Sequence, residues 1–288
     1  MNGKVVVITG ATSGIGEVAA ERLASMGARI VAIARDKARG EATLARLRER
    51  APGLAHRVHY ADLSLLAEVK RVASEIAAAE PRIDVLINNA GAVFYKRQFT
   101  RDGLELTFAT NHMSYFVLTH GLRETLLASA PARVINTSSE AHRRMKIDLG
   151  DLQAARGYTP FKAYGRSKLC NILFTRELAR RLAGTGVTAN CLHPGFVNTR
   201  FGDQGSGPIS YMFRLAKKFA LSPEKGAETI VFLASAKEAA GVTGEYFYQC
   251  RPKTPSIDAQ DDQAAKRLWQ ESAELASEWK LPGSCNSL

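Results

Sequence analysis

Short β-forming runs alternate with helix-forming segments along almost the whole chain of 288 residues. The first run, residues 5–8, is Val-Val-Val-Ile without polar alternation, which is typical of a central strand buried on both faces. Each parallel crossover needs a connecting helix, so this order favours a parallel sheet covered by helices on both sides. The sequence predicts a single α/β domain with a doubly wound, seven-stranded parallel sheet. Its predicted strands are 4–9, 29–33, 57–61, 84–88, 133–137, 187–192 and 245–248.

Three longer segments carry apolar residues at helical spacing. We expect residues 1–250 to form the main domain, with a substrate lid at about 199–223. Residues 251–288 are predicted to be a helical tail packed on the same domain, covering the sheet or a neighbouring helix. The predicted helices are 15–26, 163–182 and 261–279.

Composition and charge restrict the classes of partner. Hydrophobic residues make up 45% of the chain and charged residues 23%, as in an ordinary globular protein. The net charge of +11 admits a nucleic acid, an anionic membrane or a phosphorylated small molecule. The basic residues are spread along the chain without a nucleic-acid-binding motif, so no nucleic acid partner is expected.

The cysteines, the histidines and the apolar runs suggest neither a metal nor a membrane span. The four cysteines, Cys170, Cys191, Cys250 and Cys285, form no C-x-x-C pair, so neither a zinc site nor a disulfide framework is predicted. His142 and His193 lack partners at metal-ligand spacing and are interpreted as pocket or loop residues. No apolar run reaches the roughly 18 residues of a membrane span, and we find no signal-peptide pattern, so a cytoplasmic protein is expected.

The segment Thr9–Gly16, TGATSGIG, joins the first strand to the first helix. Glycine is favoured where a backbone takes positive φ or another group approaches closely. A helix N-terminus offers free N–H groups and the positive end of the helix dipole, which suit a phosphate. The loop therefore predicts a pyrophosphate site, although its G-x-x-x-G-x-G spacing differs from the common dinucleotide fingerprint.

The residue that follows the second strand discriminates between two dinucleotides. An acid at this position hydrogen-bonds a free ribose 2′-hydroxyl, whereas an arginine binds a 2′-phosphate. Arg35 is the first residue past the strand and predicts NADP, while the adjacent Asp36 keeps NAD open. Ser13 adds a neutral hydroxyl donor in the glycine loop.

Tyr164 and Lys168 lie four residues apart in the predicted helix 163–182, so their side chains share one face. A phenol has a pKa of about 10, and a neighbouring ammonium together with a nicotinamide cation would lower it. Tyr164 would then be a workable acid or base. Residues 136–139 and 88–91 follow two strands, and they should meet the glycine loop at the carboxyl edge of the sheet.

Together these motifs resemble the short-chain dehydrogenase/reductase family over residues 3–248. The resemblance implies a Rossmann-type fold and a site in which Tyr164 donates the proton to a substrate carbonyl. Lys168 would lower the pKa of Tyr164 and hold the nicotinamide ribose, Ser139 would bind the carbonyl oxygen, and Asn111 would hold a water relay. Ser138 is disfavoured against Ser139, because neighbours on a strand face opposite ways. The implied cofactor contacts are Gly10, Thr12, Ser13, Gly14, Ile15, Gly16, Arg35, Asp62, Leu63, Asn88, Ala90, Gly91, Tyr164, Lys168, Pro194, Gly195, Val197 and Thr199.

Within the family the chain is similar to retinol dehydrogenases, retinal reductases and WW-domain oxidoreductases. The resemblance implies an NADP(H)-dependent interconversion of a lipophilic, retinal-like aldehyde or ketone and its alcohol. Two alternatives stay open: a reductase of a steroid, polyketide or pigment precursor, and a non-catalytic NADP(H)-binding sensor. The similar segments are 34–36, 138–142, 151–153, 174–182, 193–195 and 267–269.

The segment 209–221 is apolar and basic where the family has its substrate lid. An amphipathic basic helix can lie on an anionic bilayer, so this segment predicts either peripheral membrane contact or an ordinary lid over a hydrophobic pocket. The family also implies a homo-oligomer formed through two helices beside the site, a contact that the predicted tail helix would block or replace.

Overall fold

A computed structural model describes residues 1–197 and 220–277 of the chain. Four predicted features fall wholly or partly outside these residues. They are Thr199, the lid from 199 to 219, most of the basic segment 209–221, and the end of the tail helix at Trp279.

The described residues form one sheet, in which the predicted parallel strands are confirmed with minor shifts at their ends. The strand order is β3-β2-β1-β4-β5-β6-β7-β8. The first seven strands pair in parallel, and the order reverses between β1 and β4. The strands are β1 Val5–Thr9, β2 Arg29–Ala34, β3 Arg57–Tyr60, β4 Val85–Asn88, β5 Ala132–Thr137, β6 Val187–Leu192, β7 Tyr246–Tyr248 and β8 Arg251–Pro252.

The sequence did not predict β8, a two-residue strand that pairs antiparallel with β7. Gln249 and Cys250 join the two strands, and both have positive φ, 48° and 62°. Two consecutive residues of positive φ are characteristic of a type I′ hairpin turn, which usually contains glycine or asparagine. Because Gln-Cys lacks that signature, sequence reasoning missed the hairpin.

The predicted helices are confirmed over the described residues. The 163–182 helix begins earlier, at Pro160, because proline is well suited to a first helical turn and Thr159 caps the helix by accepting a hydrogen bond from Lys162 N at 3.3 Å. The α-helices are α1 Gly14–Ser25, α2 Lys37–Arg50, α3 Leu66–Ala79, α4 Leu106–Phe108, α5 Ser114–Gly121, α6 Arg123–Ala128, α7 Pro160–Arg181, α8 Pro223–Ser235 and α9 Asp262–Ser277.

Successive residues of the central strands supply two separate cores. Val7 faces the core that includes α3, α5 and α7, whereas Val6 and Ile8 face the core that includes α1 and α8. All three side chains are fully buried, as the apolar run predicts for a doubly covered strand.

The tail helix α9 packs against α7 rather than on the sheet. Leu268 is buried, and the ring of Trp269 stacks on Phe174 at a centroid distance of 5.8 Å and meets Phe116 edge-on at 5.0 Å. The main contribution of α9 is therefore to cover an apolar helix face. Within residues 1–197 and 220–277, no helix is long and apolar enough to cross a membrane.

Candidate active site

Four chain segments meet at the carboxyl edge of the sheet, where open α/β sheets bind ligands. They are the glycine loop after β1, the Asn-Asn-Ala-Gly turn after β4, the double serine after β5 and the His-Pro-Gly turn after β6. The register places these strand ends side by side, with Ile8 beside Ile87, Asn88 beside Asn136 and Thr137 beside Leu192. The predicted convergence on one edge is present in the structure.

The glycine loop takes a conformation that only glycine adopts readily. Gly10 and Gly14 have φ of 70° and 60°, and Gly16 lies in the first turn of α1. The Ser13 side chain makes no capping hydrogen bond at the start of α1, although side chains cap α2, α7 and α8. Within the described part of the chain, the first N–H groups of α1 have no side-chain acceptor, which fits the predicted pyrophosphate.

Gly16 is the tightest position of the loop. A Cβ at this residue would overlap the carbonyl oxygen of Gly10 and the side-chain amide of Asn89. We expect Gly16→Ala to lower the free energy of unfolding by about 1–3 kcal/mol, because the overlap is with backbone and relief requires the loop to move. Urea unfolding followed by circular dichroism measures this loss, and the affinity for NADPH should fall with it.

The control for this substitution is Gly150→Ala. Gly150 has no positive φ, and an added Cβ would meet only the Asp148 carboxylate, at an ordinary 3.5 Å. The control should leave the free energy of unfolding within about 0.5 kcal/mol of the original protein. If the two substitutions lowered the free energy of unfolding equally, the interpretation that close packing requires a glycine at position 16 would be contradicted.

The Asn-Asn-Ala-Gly turn is tied to the glycine loop by Thr9. The Thr9 hydroxyl accepts hydrogen bonds from the backbone N–H groups of Asn89 and Ala90, at 2.8 and 2.9 Å. Asn89 Nδ2 in turn donates to the Thr9 carbonyl oxygen at 3.2 Å. Sequence reasoning passed over Thr9 and Asn89, whose only signal was their place inside the two motifs.

The Asn88 side chain bonds inside the domain and does not face the predicted ribose site. This side chain is fully buried and donates to Thr119 Oγ1 at 2.9 Å and to Asn136 Oδ1 at 2.8 Å. It therefore holds β4 against β5 and α5 inside the domain. A cofactor contact by Asn88 would involve its backbone only.

Gly91 lies against two of the predicted catalytic side chains. A Cβ at Gly91 would be 3.2 Å from Asn111 Oδ1 and 3.3 Å from Lys168 Nζ. Asn111 Oδ1 also accepts a hydrogen bond from Ala92 N at 2.8 Å. Because Gly91 has no side chain, the Asn-Asn-Ala-Gly turn can lie directly against Asn111 and Lys168.

Asn111 lies in a π-helical turn, Ala109–Met113, inserted between α4 and α5. Such turns interrupt the regular i→i−4 pattern of backbone hydrogen bonds and often occur at functional sites. The fully buried side chain of Asn111 donates to Ser167 Oγ at 3.0 Å, which links it to α7, the helix that carries Tyr164 and Lys168. The structure brings Asn111 to the site as the sequence predicted.

Lys168 is buried and Tyr164 is only partly buried, so the phenol is the group that reaches the cleft. Lys168 Nζ donates to the Thr137 carbonyl oxygen at 3.0 Å and lies 5.6 Å from the centroid of the Tyr164 ring. Burial lowers the pKa of Lys168 to about 7. Burial therefore makes the Lys168 ammonium easier to deprotonate than that of a solvent-exposed lysine.

The predicted depression of the Tyr164 pKa requires the nicotinamide cation, and the protein chain by itself does not produce it. Burial raises the pKa of Tyr164 to about 12, although a hydrogen bond with Ser139 acts in the opposite direction. Desolvation penalises the phenolate, and Lys168 contributes little because burial also disfavours its charge. Tyr164 is thus a protonated phenol at neutral pH, the form that a proton donor requires.

The two neighbouring serines separate as the strand geometry predicts. Ser138 is buried and donates a hydrogen bond to the Lys168 carbonyl oxygen at 2.8 Å. Ser139 is partly buried, and its hydroxyl makes the hydrogen bond with Tyr164. Ser139 is therefore the serine that faces the reacting phenol.

The adenosine end of the site has an exposed basic surface. Arg35 is exposed and makes no hydrogen bond or ion pair with the residues that the structure describes. The carboxylate of Asp36 accepts from Arg39 N at 2.8 Å and so serves as the N-cap of α2. Arg39, which sequence reasoning missed, reaches back to the glycine loop and donates to the Thr12 carbonyl oxygen at 3.2 Å.

Asp62 and Leu63 follow β3 and are both partly buried. Asp62 Oδ1 accepts from the backbone N–H and the hydroxyl of Ser64, at 3.0 and 2.8 Å, which fixes the turn before α3. Leu63 packs on the edge of one core. Their backbone is thus held rigidly at the same edge of the sheet, beside the end of β2.

The Pro194–Val197 segment reaches the glycine loop through α8. A Cβ at Gly226, in the first turn of α8, would meet side-chain atoms of both Val197 and Ile15, at 2.6 and 2.7 Å. Gly195 has φ of 87°, and its N–H donates to His193 Nδ1 at 3.2 Å. Ile15, Gly195 and Val197 therefore lie at one site, whereas Thr199 is outside the described residues.

The sequence model for short chain dehydrogenases matches residues 4–206 of this chain. The chain belongs to the short-chain dehydrogenase/reductase family. Human retinol dehydrogenase 14 is 41% identical over 285 residues, an alignment that covers 93% of this chain and 85% of the relative. Mouse retinol dehydrogenase 12 is 42% identical, over 95% of this chain and 86% of the relative.

Solved structures share the fold. An uncharacterized protein from Mycobacterium paratuberculosis superimposes with a TM-score of 0.77 and 33% identity, over 96% of this chain and 94% of that one. The RhlG/NADP active-site complex from Pseudomonas aeruginosa gives a TM-score of 0.69 and 29% identity, over 86% and 94% of the two chains. As a member of this family the chain is an oxidoreductase that interconverts carbonyl and alcohol groups with a nicotinamide dinucleotide.

Proposed function

We propose that the protein is an NADP(H)-dependent carbonyl reductase and alcohol dehydrogenase in which Tyr164 is the general acid and base. The observation that carries this proposal is the convergence of Ser139, Tyr164, Lys168 and Asn111 at the edge that holds the glycine loop: Ser139 hydrogen-bonds Tyr164, and Asn111 and Lys168 both lie beside Gly91. The bound cofactor supplies or accepts the hydride. The glycine loop fits its pyrophosphate, since the φ angles and the uncapped start of α1 match that group.

Tyr164 supplies the proton when a carbonyl is reduced. Its phenol is protonated at neutral pH, and the Ser139 hydroxyl beside it supports a second hydrogen bond to the carbonyl oxygen. In the direction of alcohol oxidation Tyr164 must lose its proton. The positive charge on Lys168 then stabilises the phenolate. An anionic group that enters the site beside Lys168 favours the charged form of this lysine.

The preference for NADP over NAD is supported by the charges after β2. A free 2′-hydroxyl would be recognised by an acid at this position, but the carboxylate of Asp36 is already engaged as the cap of α2. Arg35 is exposed there, and Arg39, also exposed, contacts the glycine loop at the Thr12 carbonyl oxygen. Two guanidinium groups at this end favour a cofactor with a 2′-phosphate.

A lipophilic carbonyl compound is the proposed substrate class. Phe161 is 40% exposed one helical turn before Tyr164 on α7, and Phe196 is 48% exposed beside Gly195, so aromatic surface is available on two of the segments that form the site. The retinol dehydrogenases among the relatives act, by their names, on a lipophilic alcohol. These two observations favour long-chain or polyene aldehydes over steroid, polyketide and pigment precursors.

The proposed function is tested by following NADPH absorbance with a panel of short-chain, long-chain and polyene aldehydes. We expect turnover to require NADPH and to be highest with the lipophilic members. Faster turnover with NADH would contradict the cofactor assignment. An intact complex with NADPH that turns over no carbonyl would support the alternative of a nucleotide sensor.

A further inference from the structure

A cluster of polar side chains lies behind Ser139 and takes no part in the chemistry described above. We define it as the Glu140 cluster. Its members come from the turn after β5, from the end of β6, and from β7 and the segment after β8. They are Glu140, His142, His193, Tyr246 and Lys253.

His142 holds the backbone of Ser139. Its Nδ1 lies 2.7 Å from the Ser139 carbonyl oxygen, and its Nε2 accepts a hydrogen bond from Ser256 N at 3.1 Å. Because Nε2 is an acceptor, the proton of the neutral ring is on Nδ1, which donates to Ser139. The side chain is fully buried, and burial lowers the pKa of His142, which keeps the ring neutral.

Glu140 joins the Ser139 turn to two later strands. Its carboxylate accepts from Lys253 Nζ at 3.0 Å and from the Tyr246 hydroxyl at 3.3 Å, and it pairs with Arg143 Nε. Burial by itself would raise the pKa of Glu140, but the cations outweigh it and lower this pKa to about 2. Glu140 is therefore an anion that ties the Ser139 turn to β7 and to the segment after β8.

Glu140 also contacts the turn on the nicotinamide side of the site. His193 Nε2 lies 2.9 Å from Glu140 Oε2, as a close polar contact without the alignment of a hydrogen bond. The other ring nitrogen, Nδ1, accepts from Gly195 N at 3.2 Å, and the ring stacks on Tyr248 at a centroid distance of 4.1 Å. A single carboxylate thus lies between Ser139 and the Pro194–Gly195 turn.

We propose that Glu140 is a positioning residue that holds the Ser139 hydroxyl at its working distance from the Pro194–Gly195 turn. The inference rests on the proposed function, in which Ser139 binds the carbonyl oxygen and Pro194–Gly195 binds the nicotinamide amide. Small displacements of reacting groups cost large factors in rate. Exposed ion pairs contribute little to stability, and the Glu140 side chain is 40% exposed, so its effect should be on turnover rather than on folding.

The test is a double-mutant cycle on the full chain with Glu140→Gln and Ser139→Ala. The glutamine keeps the size of the side chain but removes the charge that binds Lys253 and faces His193. We expect Glu140→Gln alone to lower kcat for aldehyde reduction about 10- to 100-fold. The dissociation constant for NADPH and the melting temperature should remain unchanged. In the Ser139→Ala background the same substitution should lower kcat less than about 3-fold, because no hydroxyl remains to be positioned.

Two further variants separate this role from a general structural one. Lys253→Gln removes a partner of Glu140 and should lower kcat in the same direction by a smaller factor. Glu238→Gln removes the charge of an exposed glutamate that makes no hydrogen bond or ion pair with the described residues, and it should leave kcat unchanged. Loss of NADPH binding and of melting temperature by Glu140→Gln, in proportion to kcat, would overturn the proposal.

The cycle also distinguishes failure of this inference from failure of the proposed function. If the original protein reduces aldehydes but the effects of Glu140→Gln and Ser139→Ala multiply, Glu140 does not act through Ser139 and only the inference is overturned. If the original protein has no NADPH-dependent turnover of any carbonyl, the proposed function is overturned, and the inference with it.

Discussion

Replacing Tyr164 with phenylalanine is expected to lower kcat for NADPH-dependent aldehyde reduction by about 10²- to 10⁴-fold, the usual contribution of a positioned general acid. The ring and its packing remain, while the only proton that Tyr164 can donate to the carbonyl oxygen is lost. Steady-state kinetics with a good aldehyde substrate measure the loss. The dissociation constant for NADPH, measured by fluorescence titration, should change less than about 3-fold, because loss of a single hydroxyl removes at most a modest hydrogen-bond contribution.

The control for this substitution is Tyr60→Phe. The Tyr60 hydroxyl donates to Glu41 on α2 at 2.8 Å, at the end of β3 and not beside the Ser139–Tyr164 pair. Removing this hydroxyl should leave kcat within about 2-fold of the original value, since the groups that face the reacting carbonyl stay unchanged. Turnover by the Tyr164→Phe protein at the original rate would mean that another group transfers the proton.

Replacing Arg35 with serine is expected to reduce the preference for NADPH over NADH by about 10- to 100-fold. Charge-assisted hydrogen bonds from a guanidinium to a phosphate are among the stronger polar interactions. The substitution removes these bonds from NADPH, whereas NADH has no 2′-phosphate and does not form them. The value of kcat/KM for NADPH should therefore fall while that for NADH stays nearly constant. The effect of the substitution on the preference for NADPH should be smaller at moderate salt than at low salt, because the arginine is exposed and salt screens its charge.

Two further substitutions on α2, Arg39→Ser and Arg48→Ser, test whether the change in cofactor preference is specific to Arg35. Arg39 lies next to the glycine loop and should contribute a smaller part of the same preference, about 3- to 10-fold. Arg48 is exposed on the same helix, α2, in its last turn, and its loss should change neither cofactor. An equal loss for NADPH and NADH in the Arg35→Ser protein would contradict recognition of a 2′-phosphate.

Much of the site was predictable because its motifs are local and their order along the chain is informative. The glycine loop, the residues after β4 and β5, and the Tyr164–Lys168 spacing each depend on a few consecutive residues. Parallel strands then bring these segments to one edge. The family resemblance assigned Ser139, and strand alternation predicted that Ser138 would face the other way; the structure orients the two hydroxyls accordingly.

Contacts between residues that are distant in sequence could not be predicted from these local motifs. The Tyr164 pKa was predicted from a neighbouring charge, but burial, which depends on the packed helices around the phenol, raises it instead. The contact of Arg39 with Thr12 joins residues that are 27 positions apart. Likewise, the hydrogen bond from Lys253 to Glu140 spans 113 positions and requires a hairpin that the sequence does not signal.

The sequence by itself determined the α/β class, the parallel strands and the residue types at the glycine loop and the catalytic tyrosine and lysine. Periodicity and motif spacing are properties of neighbouring residues, so they can be read along the chain. Only the tertiary structure decided which polar groups are already engaged: Asp36 as a helix cap, Asn88 inside the sheet, and Glu140 between Ser139 and His193. The physical reason is that burial and pairing depend on residues distant in sequence, and these determine which groups remain able to meet a ligand.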